Sequence, residues 1–307
     1  NCEICNASKI QNAACKTKAD PALDALPEPE AFGDSLTADH AIINEDDKSR
    51  SNDRVALIIQ DRKTHWLQAY PFKTKGAKDT VLGFQKFMGP LGRAKYVYSD
   101  NSKEIKAAME ELNVLHDTCI PHRPQTNGIA ERAVRRVKEG TTCTLVQSGL
   151  GEEWWAEAME CYTYLRCIVD IMKENMTAYQ LRFGAQFDGP IIPFGTHIKY
   201  KPSNAKDKAR LPKFGEKVLD GIFVGYKIHA GGGWSKQLRI VDWEDIERNE
   251  HHSTVAIKEI HYQEVIIVRN AGGQDDDYTF PVAEGTLIPA SGEIIRRGRP
   301  RKVQVPK

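Results

Sequence analysis

The chain has 307 residues and a formal net charge of +1, with 40% hydrophobic and 28% charged residues. This length fits about two domains of roughly 100–200 residues, and the composition is that of a chain with a packed core. Because the net charge is near zero, overall charge gives no evidence for or against binding of nucleic acid. Only the distribution of the charges along the chain can indicate such binding. The sequence shows no signal peptide and no apolar run of about 20 residues, so no membrane partner is expected. Its seven thinly spread cysteines favour reduced thiols inside a cell over a disulfide scaffold.

The N-terminal part carries cysteines and then a linker. Three of the seven cysteines lie within residues 1–18, and Cys2 and Cys5 have the Cys-x-x-Cys spacing of a zinc half-site. Two unligated cysteines are the alternative, because a zinc site needs four ligands. Residues 19–34 are acidic and rich in proline, which indicates a linker. Because the chain begins with Asn1 rather than Met, we expect a fragment or a processed product of a longer polypeptide.

From Ser35 the pattern changes to strands and helices. Short apolar runs in SLTADHAII and VALIIQD and the half-alternating HWLQAYPF predict a three-stranded meander. A helix follows and stops at a Gly-Pro pair, and AKYVYSD predicts a fourth strand that ends in Asp100. After another helix and a short strand, residues 127–148 and 152–174 show long helical patterns, and TAYQLRFG adds a short helix. This alternation predicts the α/β class.

The C-terminal third returns to β structure. From Pro190, the segments GTHIKYKP, DGIFVGYKI, KQLRIVDW and EVIIV predict strands of a separate small β domain. A basic edge of this domain favours DNA binding; its residues are Lys199, Lys201, Lys206, Lys208 and Arg210. Residues 271–307 predict a tail that is acidic at first and then basic in RRGRPRK. Three interpretations of the basic stretch stay open: an arm for the DNA minor groove, a nuclear import signal, and a disordered basic tail.

Three acids occupy positions that suggest one catalytic arrangement. Asp39 lies on the first predicted strand, Asp100 ends the fourth, and Glu131 begins the helix that we expect to pack beside them. Three converging carboxylates can bind two Mg²⁺ or Mn²⁺ ions, because hard cations prefer oxygen ligands. Two such ions can activate a hydroxyl and stabilise the leaving oxygen of a phosphodiester. A single Asp or Glu is most often a solvated surface charge, so the surrounding sequence must carry the assignment.

Those surroundings resemble a known family. SDNSKE at 99–104 and HRPQTNGIAER at 122–132 resemble the second and third acidic motifs of retroviral-type integrases, and TADH at 37–40 fits the first. NMTAYQLRFG at 175–184 and KVLDGIFVGYK at 217–227 resemble the region after the core in copia-type long-terminal-repeat retrotransposon polyproteins. Together, these five motifs resemble the integrase region of a copia-type Pol polyprotein.

The resemblance implies a ribonuclease H-like core, with a mixed five-stranded sheet and flanking helices, followed by a small C-terminal β domain. The implied segments are a truncated zinc-module remnant (1–18), a linker (19–34), the catalytic core (35–185), the β domain (186–270) and an acidic, then basic, flexible tail (271–307). The two histidines of the family's zinc module would lie upstream of Asn1. Zinc at Cys2 and Cys5 is therefore expected only as a partial site.

The resemblance also implies an activity. Asp39, Asp100 and Glu131 would be the metal ligands and catalytic residues of an integrase, which trims 3′ ends and then inserts element DNA into host DNA by strand transfer. The implied partners are the DNA ends, the target DNA and further copies of the chain, in the nucleus and as part of a longer polyprotein. The alternative is a catalytically decayed or domesticated copy that keeps the fold and binds DNA without cutting it. A general ribonuclease H-like nuclease is a third possibility.

The helix that begins near Glu131 is basic beyond its single acid. Residues at i, i+4 and i+7 share one helix face, so Arg135 and Lys138 lie on the face of Glu131. The acid would hold metal while the two cations bind DNA phosphate, which positions DNA without reading its sequence. The predicted DNA contacts are Gln125, Asn127, Arg132, Arg135 and Lys138. A solvated basic helix face is the alternative.

The sequence departs from the family pattern in three respects. Thirty residues separate Asp100 from Glu131, fewer than the family usually has. Ser102 stands where the family usually has Gly, and Ile105 replaces a frequent Phe. Because Gly permits a turn with positive φ, we expect strain at Ser102. These departures leave the three acids in place but bear on whether the chain is fully active.

Overall fold

The first sheet has five strands in the order β3-β2-β1-β4-β5. The computed structural model describes residues 28–43, 47–118, 128–270 and 277–290, together with residue 4. The strands are β1 (Leu36–Ile42), β2 (Val55–Asp61), β3 (Leu67–Phe72), β4 (Tyr96–Ser99) and β5 (Leu115–Thr118). β1, β2 and β3 form the predicted antiparallel meander, and β1, β4 and β5 pair in parallel. This mixed sheet confirms the ribonuclease H-like arrangement.

Burial explains why these segments are strands. Every residue of β2 is buried, which is typical of a strand covered on both faces of its sheet. The side chains of Leu57 and Phe72 point toward a helix that contains Gly83, where an added Cβ would lie 2.6 Å from Leu57 Cδ2. Gly83 therefore permits this helix to approach the sheet closely.

Five helices accompany the first sheet. They are α1 (Ala77–Met88), α2 (Lys103–Leu112), α3 (Gly128–Ser148), α4 (Trp155–Val169) and α5 (Ala178–Phe183). α1 packs on β2 and β3 and against α2, whereas α3 packs on β1 and β2 and against α4. In the described part of the chain, no helix is both long and apolar enough to span a bilayer.

The second long helix is shorter than the pattern over residues 152–174 predicts. A 3₁₀ turn at Glu152–Trp154 precedes α4, and the helix stops at Asp170, whose φ of −69° and ψ of 128° are extended. Ile171 then forms an antiparallel bridge with Thr177. The pairing of these two residues overrides the helical pattern of the sequence.

A second, antiparallel sheet follows in the order β10-β6-β7-β8-β9. Its strands are β6 (His197–Tyr200), β7 (Leu219–Ile228), β8 (Trp234–Asp242), β9 (Ile257–His261) and β10 (Val265–Ile267). The sequence pattern did not predict β9 or three short helices: α6 (Ala205–Lys208), α7 (Trp243–Arg248) and α8 (Pro281–Glu284). α8 lies in the segment predicted as a flexible tail, yet it packs on α3 and buries Val282 and Leu287.

Helix α4 lies between the two sheets. It packs on β3 and on β7. The ring centroid of Tyr164 in α4 is 6.1 Å from that of Trp66 and 5.2 Å from that of Tyr226 in β7. Arg239 in β8 also forms an ion pair with Glu160 in α4, with 2.6 Å between Nη1 and Oε2. The second sheet therefore shares one continuous hydrophobic core with the first.

Candidate active site

Two of the three predicted catalytic acids lie side by side. β1 and β4 pair in parallel, with Ala38 opposite Ser99, so Asp39 and Asp100 are the next residues along the two chains. Neighbouring strands run about 4.8 Å apart, and paired positions of parallel strands point to the same face. β1 continues to Ile42, but its pairing with β4 ends at Ala38, so both carboxylates lie at this edge of the parallel ladder.

The environment of Asp39 disfavours its negative charge. Burial, followed by the nearby charge of Asp100, raises the pKa of Asp39 to about 6. The charge of Glu131 raises it further, whereas a 2.7 Å hydrogen bond from the backbone N–H of His40 to Asp39 Oδ1 opposes the rise. Within the described ranges, neither Asp39 nor Asp100 forms a salt bridge. Repelling, partly buried carboxylates of this kind favour a bound cation.

The turn after Asp100 is relaxed. Ser102 has φ −66° and ψ 130°, which are extended values that any residue adopts, so the expected strain at this position is wrong. Its backbone N–H donates to Asp100 Oδ1 over 3.2 Å, and the residue immediately precedes α2. Ile105 is fully buried in the core. Neither substitution disturbs the position of Asp100.

Glu131 lies in the first turn of α3, the helix that packs over β1. Its side chain is exposed, and its charge reaches Asp39 as described above. Among the described residues, no group of three or more His, Cys, Asp or Glu side chains is close enough to hold a metal ion. The donor set, three carboxylates, fits Mg²⁺ or Mn²⁺ by its chemistry. The complete three-acid site stays a prediction.

The basic face of α3 begins beside this edge of the sheet. Arg132, Arg135 and Lys138 are exposed. Lys138 Nζ lies 3.4 Å from the carbonyl oxygen of Ile42 at the end of β1, and Arg135 Nε lies 4.0 Å from Glu139 one turn later. The predicted DNA contacts Gln125 and Asn127 lie outside the described residues, as do Cys2, Cys5 and the basic stretch at 296–302.

The sequence did not identify the side chains that support Asp39 from α1. The Thr80 hydroxyl donates to the carbonyl oxygen of Gly76, so it accepts the hydrogen bond from His40 Nε2 at 3.2 Å. Burial, together with the charge of Lys75, lowers the pKa of His40 to about 4, and the imidazole is neutral at pH 7. Spacing along the chain gives no signal for this contact, because α1 meets β1 only in the folded structure.

The predicted basic edge of the second sheet is partly neutralised. Lys199 pairs with Glu216, and Lys201 pairs with Glu264 at 3.8 Å. Arg210 forms ion pairs with three acids: Asp207, Asp242 and Glu244. Three of the five predicted cations are therefore paired, whereas Lys206 and Lys208 are exposed and form no ion pair with a described residue.

Comparison with known proteins gives a limited set of relatives. No protein-family model matches the chain. It is 29% identical over 123 residues to the retrovirus-related Pol polyprotein from transposon RE1 of Arabidopsis thaliana, a match that covers 38% of this chain and 8% of the relative. It is 30% identical over 126 residues to the RE2 polyprotein of the same plant, with the same coverage. The chain therefore matches less than a tenth of the length of these relatives, which are retrotransposon Pol polyproteins.

The similarity to solved structures is weaker in sequence identity. The HTLV-2 integrase catalytic core domain in complex with magnesium is 15% identical, with a TM-score of 0.39, and the match covers 50% of this chain and 97% of that one. The simian T-cell lymphotropic virus intasome in complex with the PP2A regulatory subunit B56 gamma is 15% identical, with a TM-score of 0.42 and 88% coverage of both chains. The fold assignment rests on the strand order of the first sheet.

Proposed function

We propose that this chain is the integrase segment of a copia-type retrotransposon Pol polyprotein and joins element DNA to target DNA. The observation that carries the proposal is that Asp39, within β1, and Asp100, directly after β4, are neighbours on adjacent parallel strands, beside the helix that begins near Glu131. The similarity to retrotransposon Pol polyproteins supports the same activity.

Asp39, Asp100 and Glu131 are the proposed ligands of two divalent metal ions. When bound, Mg²⁺ or Mn²⁺ supplies activation of a hydroxyl nucleophile and stabilisation of the leaving oxygen of a phosphodiester. The chain's own part is to hold two carboxylates on a rigid sheet edge and the third on a helix that packs over it. The hydrogen bonds from His40 N–H to Asp39 and from Ser102 N–H to Asp100 fix the orientation of two of these carboxylates.

Helix α3 would hold the DNA backbone beside these acids. Arg135 and Lys138 lie one and two turns after Glu131, and the contact of Lys138 with Ile42 keeps it at the end of β1. Arg132, Gln125 and Asn127 would add contacts to the DNA end. Two ends must come together, so we propose a homo-oligomer acting in the nucleus, with a partial zinc site at Cys2 and Cys5.

The test is strand transfer of a labelled duplex that matches the element's end, in Mn²⁺. Glu131→Gln should lower joined product at least about a hundredfold, because a lost metal ligand removes several kcal/mol of transition-state stabilisation. Glu111→Gln, an exposed acid of α2, is the matched control and should react like wild type. If neither wild type nor control joins DNA that it binds, the chain is a binding protein and the proposed activity is wrong.

A further inference from the structure

Lys75 lies in the loop between β3 and α1, at the same edge of the sheet as the acids. Its Nζ is 3.6 Å from Glu104 Oε2, in the first turn of α2. The side chain of Lys75 is 31% exposed and that of Glu104 is 35% exposed, so the pair is open to solvent on one side. This ion pair connects the starts of two neighbouring helices.

A chain of contacts connects the ion pair to Asp100. Glu104 Oε2 accepts a 2.8 Å hydrogen bond from Ser102 Oγ, and the backbone N–H of Ser102 donates to Asp100 Oδ1. The first turn of α1 is attached to β1, because Thr80 hydrogen-bonds to the side chain of His40, the residue after Asp39. The loop that carries Lys75 is therefore fixed from both strands that bear the acids.

The charge of Lys75 acts at Asp39 and at its neighbour His40. It partly offsets the rise in the pKa of Asp39 and contributes to the lowered pKa of His40, so the ammonium lies within electrostatic reach of both. A solvent-accessible Lys–Glu ion pair contributes little to stability, so the Lys75 side chain can leave Glu104 at a small cost in free energy. A lysine ammonium is a compact point charge that binds phosphate from several directions.

We propose that Lys75 is a phosphate-binding residue of this site, held by Glu104 until DNA arrives and then transferred to a backbone phosphate next to Asp39 and Asp100. The inference rests on the proposed function, because it assumes that DNA occupies this edge of the sheet. Glu104 positions the ammonium in the free protein and competes with the phosphate for it. Lys75 thus adds a cation from the loop before α1 to the basic contacts that Lys138 contributes from α3.

The experiment measures binding of a labelled duplex by fluorescence anisotropy over a series of salt concentrations, in EDTA, so that no metal-dependent reaction proceeds. Lys75→Met should weaken binding several-fold and reduce the magnitude of the slope of log K against log salt by about 0.9, the value for one phosphate contact. Lys73→Met removes an equal charge from an exposed position two residues away and is the matched control. Lys75→Arg keeps the positive charge and should show the wild-type slope of log K against log salt.

Glu104→Gln separates phosphate binding from a structural role. It frees Lys75 without removing it, so we expect DNA binding as tight as wild type or a few-fold tighter. Equal slopes for Lys75→Met and Lys73→Met would overturn the assignment of Lys75, as would equal weakening by Lys75→Met and Glu104→Gln. A wild type that binds DNA but joins no ends would overturn the proposed activity. The salt dependence of DNA binding would still test whether Lys75 binds phosphate. A wild type that binds no DNA would overturn both.

Discussion

Asp242 in the second sheet and Asp39 in the first have opposite electrostatic surroundings. In the second sheet, Asp242 is fully buried; burial alone would raise its pKa, but hydrogen bonds from Arg210 and Tyr200 and the charge of Lys258 hold the pKa below its ordinary value. In the first sheet, burial and the charge of Asp100 raise the pKa of Asp39 to about 6. A buried acid with cations in contact stabilises the protein, whereas one with acids for neighbours is available to an external cation.

The largest expected effect comes from breaking the partnered site. Asp242→Asn should lower the free energy of unfolding by about 3 kcal/mol, because it removes the fully buried carboxylate that Arg210 and Lys258 share and leaves them only Asp207 and Glu244. Urea denaturation measures this loss. A change below about 1 kcal/mol would mean that the remaining ion pairs of Arg210 with Glu244 and of Lys258 with Asp207 compensate for the loss of Asp242.

The opposite sign is expected at Asp39. Asp39→Asn should raise the free energy of unfolding at neutral pH by about 1–2 kcal/mol, since it removes a carboxylate that is repelled by Asp100 and disfavoured by burial. Metal-free protein in EDTA, unfolded with urea, provides the measurement. A loss of stability would show that Asp39 is an ordinary, well-solvated acid.

The pH dependence sharpens this second comparison. The folded pKa of Asp39 is raised from 3.8 to about 6, so the unfolded chain releases the proton at lower pH than the folded protein does. The destabilisation due to Asp39 is absent below about pH 4, grows between about pH 4 and pH 6, and is constant above. The stability difference between wild type and Asp39→Asn should follow this window; a difference independent of pH would contradict it.

A bound cation should reverse the penalty in the first sheet alone. At ten times the dissociation constant, Mn²⁺ should stabilise wild type by about 1.4 kcal/mol, seen as a rise in Tm. Asp39→Asn should lose this rise, whereas Lys201→Met should keep it. An equal rise in both variants would place the ion elsewhere in the protein.

The smallest effect is expected at the exposed pairs of the second sheet. Lys201 pairs with Glu264 at 3.8 Å, with side chains 64% and 45% exposed. Lys201→Met should therefore change the free energy of unfolding by no more than about 0.5 kcal/mol. A loss comparable to that of Asp242→Asn would mean that burial does not distinguish the two kinds of pair.

Local sequence patterns predicted most features of the first sheet and fewer features of the second. Buried apolar runs such as VALIIQD predicted the strands. An acid on the first strand and another ending the fourth suggested that Asp39 and Asp100 would converge, and the two residues follow the paired Ala38 and Ser99 in the structure. Two of the three acids paired with Arg210, Asp242 and Glu244, lie more than 30 residues away, so local sequence could not show these pairs.

Two errors have the same physical origin. The helix over residues 152–174 was predicted from its apolar periodicity, but the bridge between Ile171 and Thr177 ends it early. Strain at Ser102 was expected from a comparison of residue types, whereas φ at that residue is −66°. In both cases the backbone conformation is set by contacts that residue preferences do not encode.

The position of α4 between the two sheets has a consequence for how the chain comes apart. Both sheets bury side chains against this one helix, so neither can open without exposing its apolar surface. Unfolding should therefore proceed as a single cooperative transition. Separation of the two sheets would require at least one of them to lose its contacts with α4.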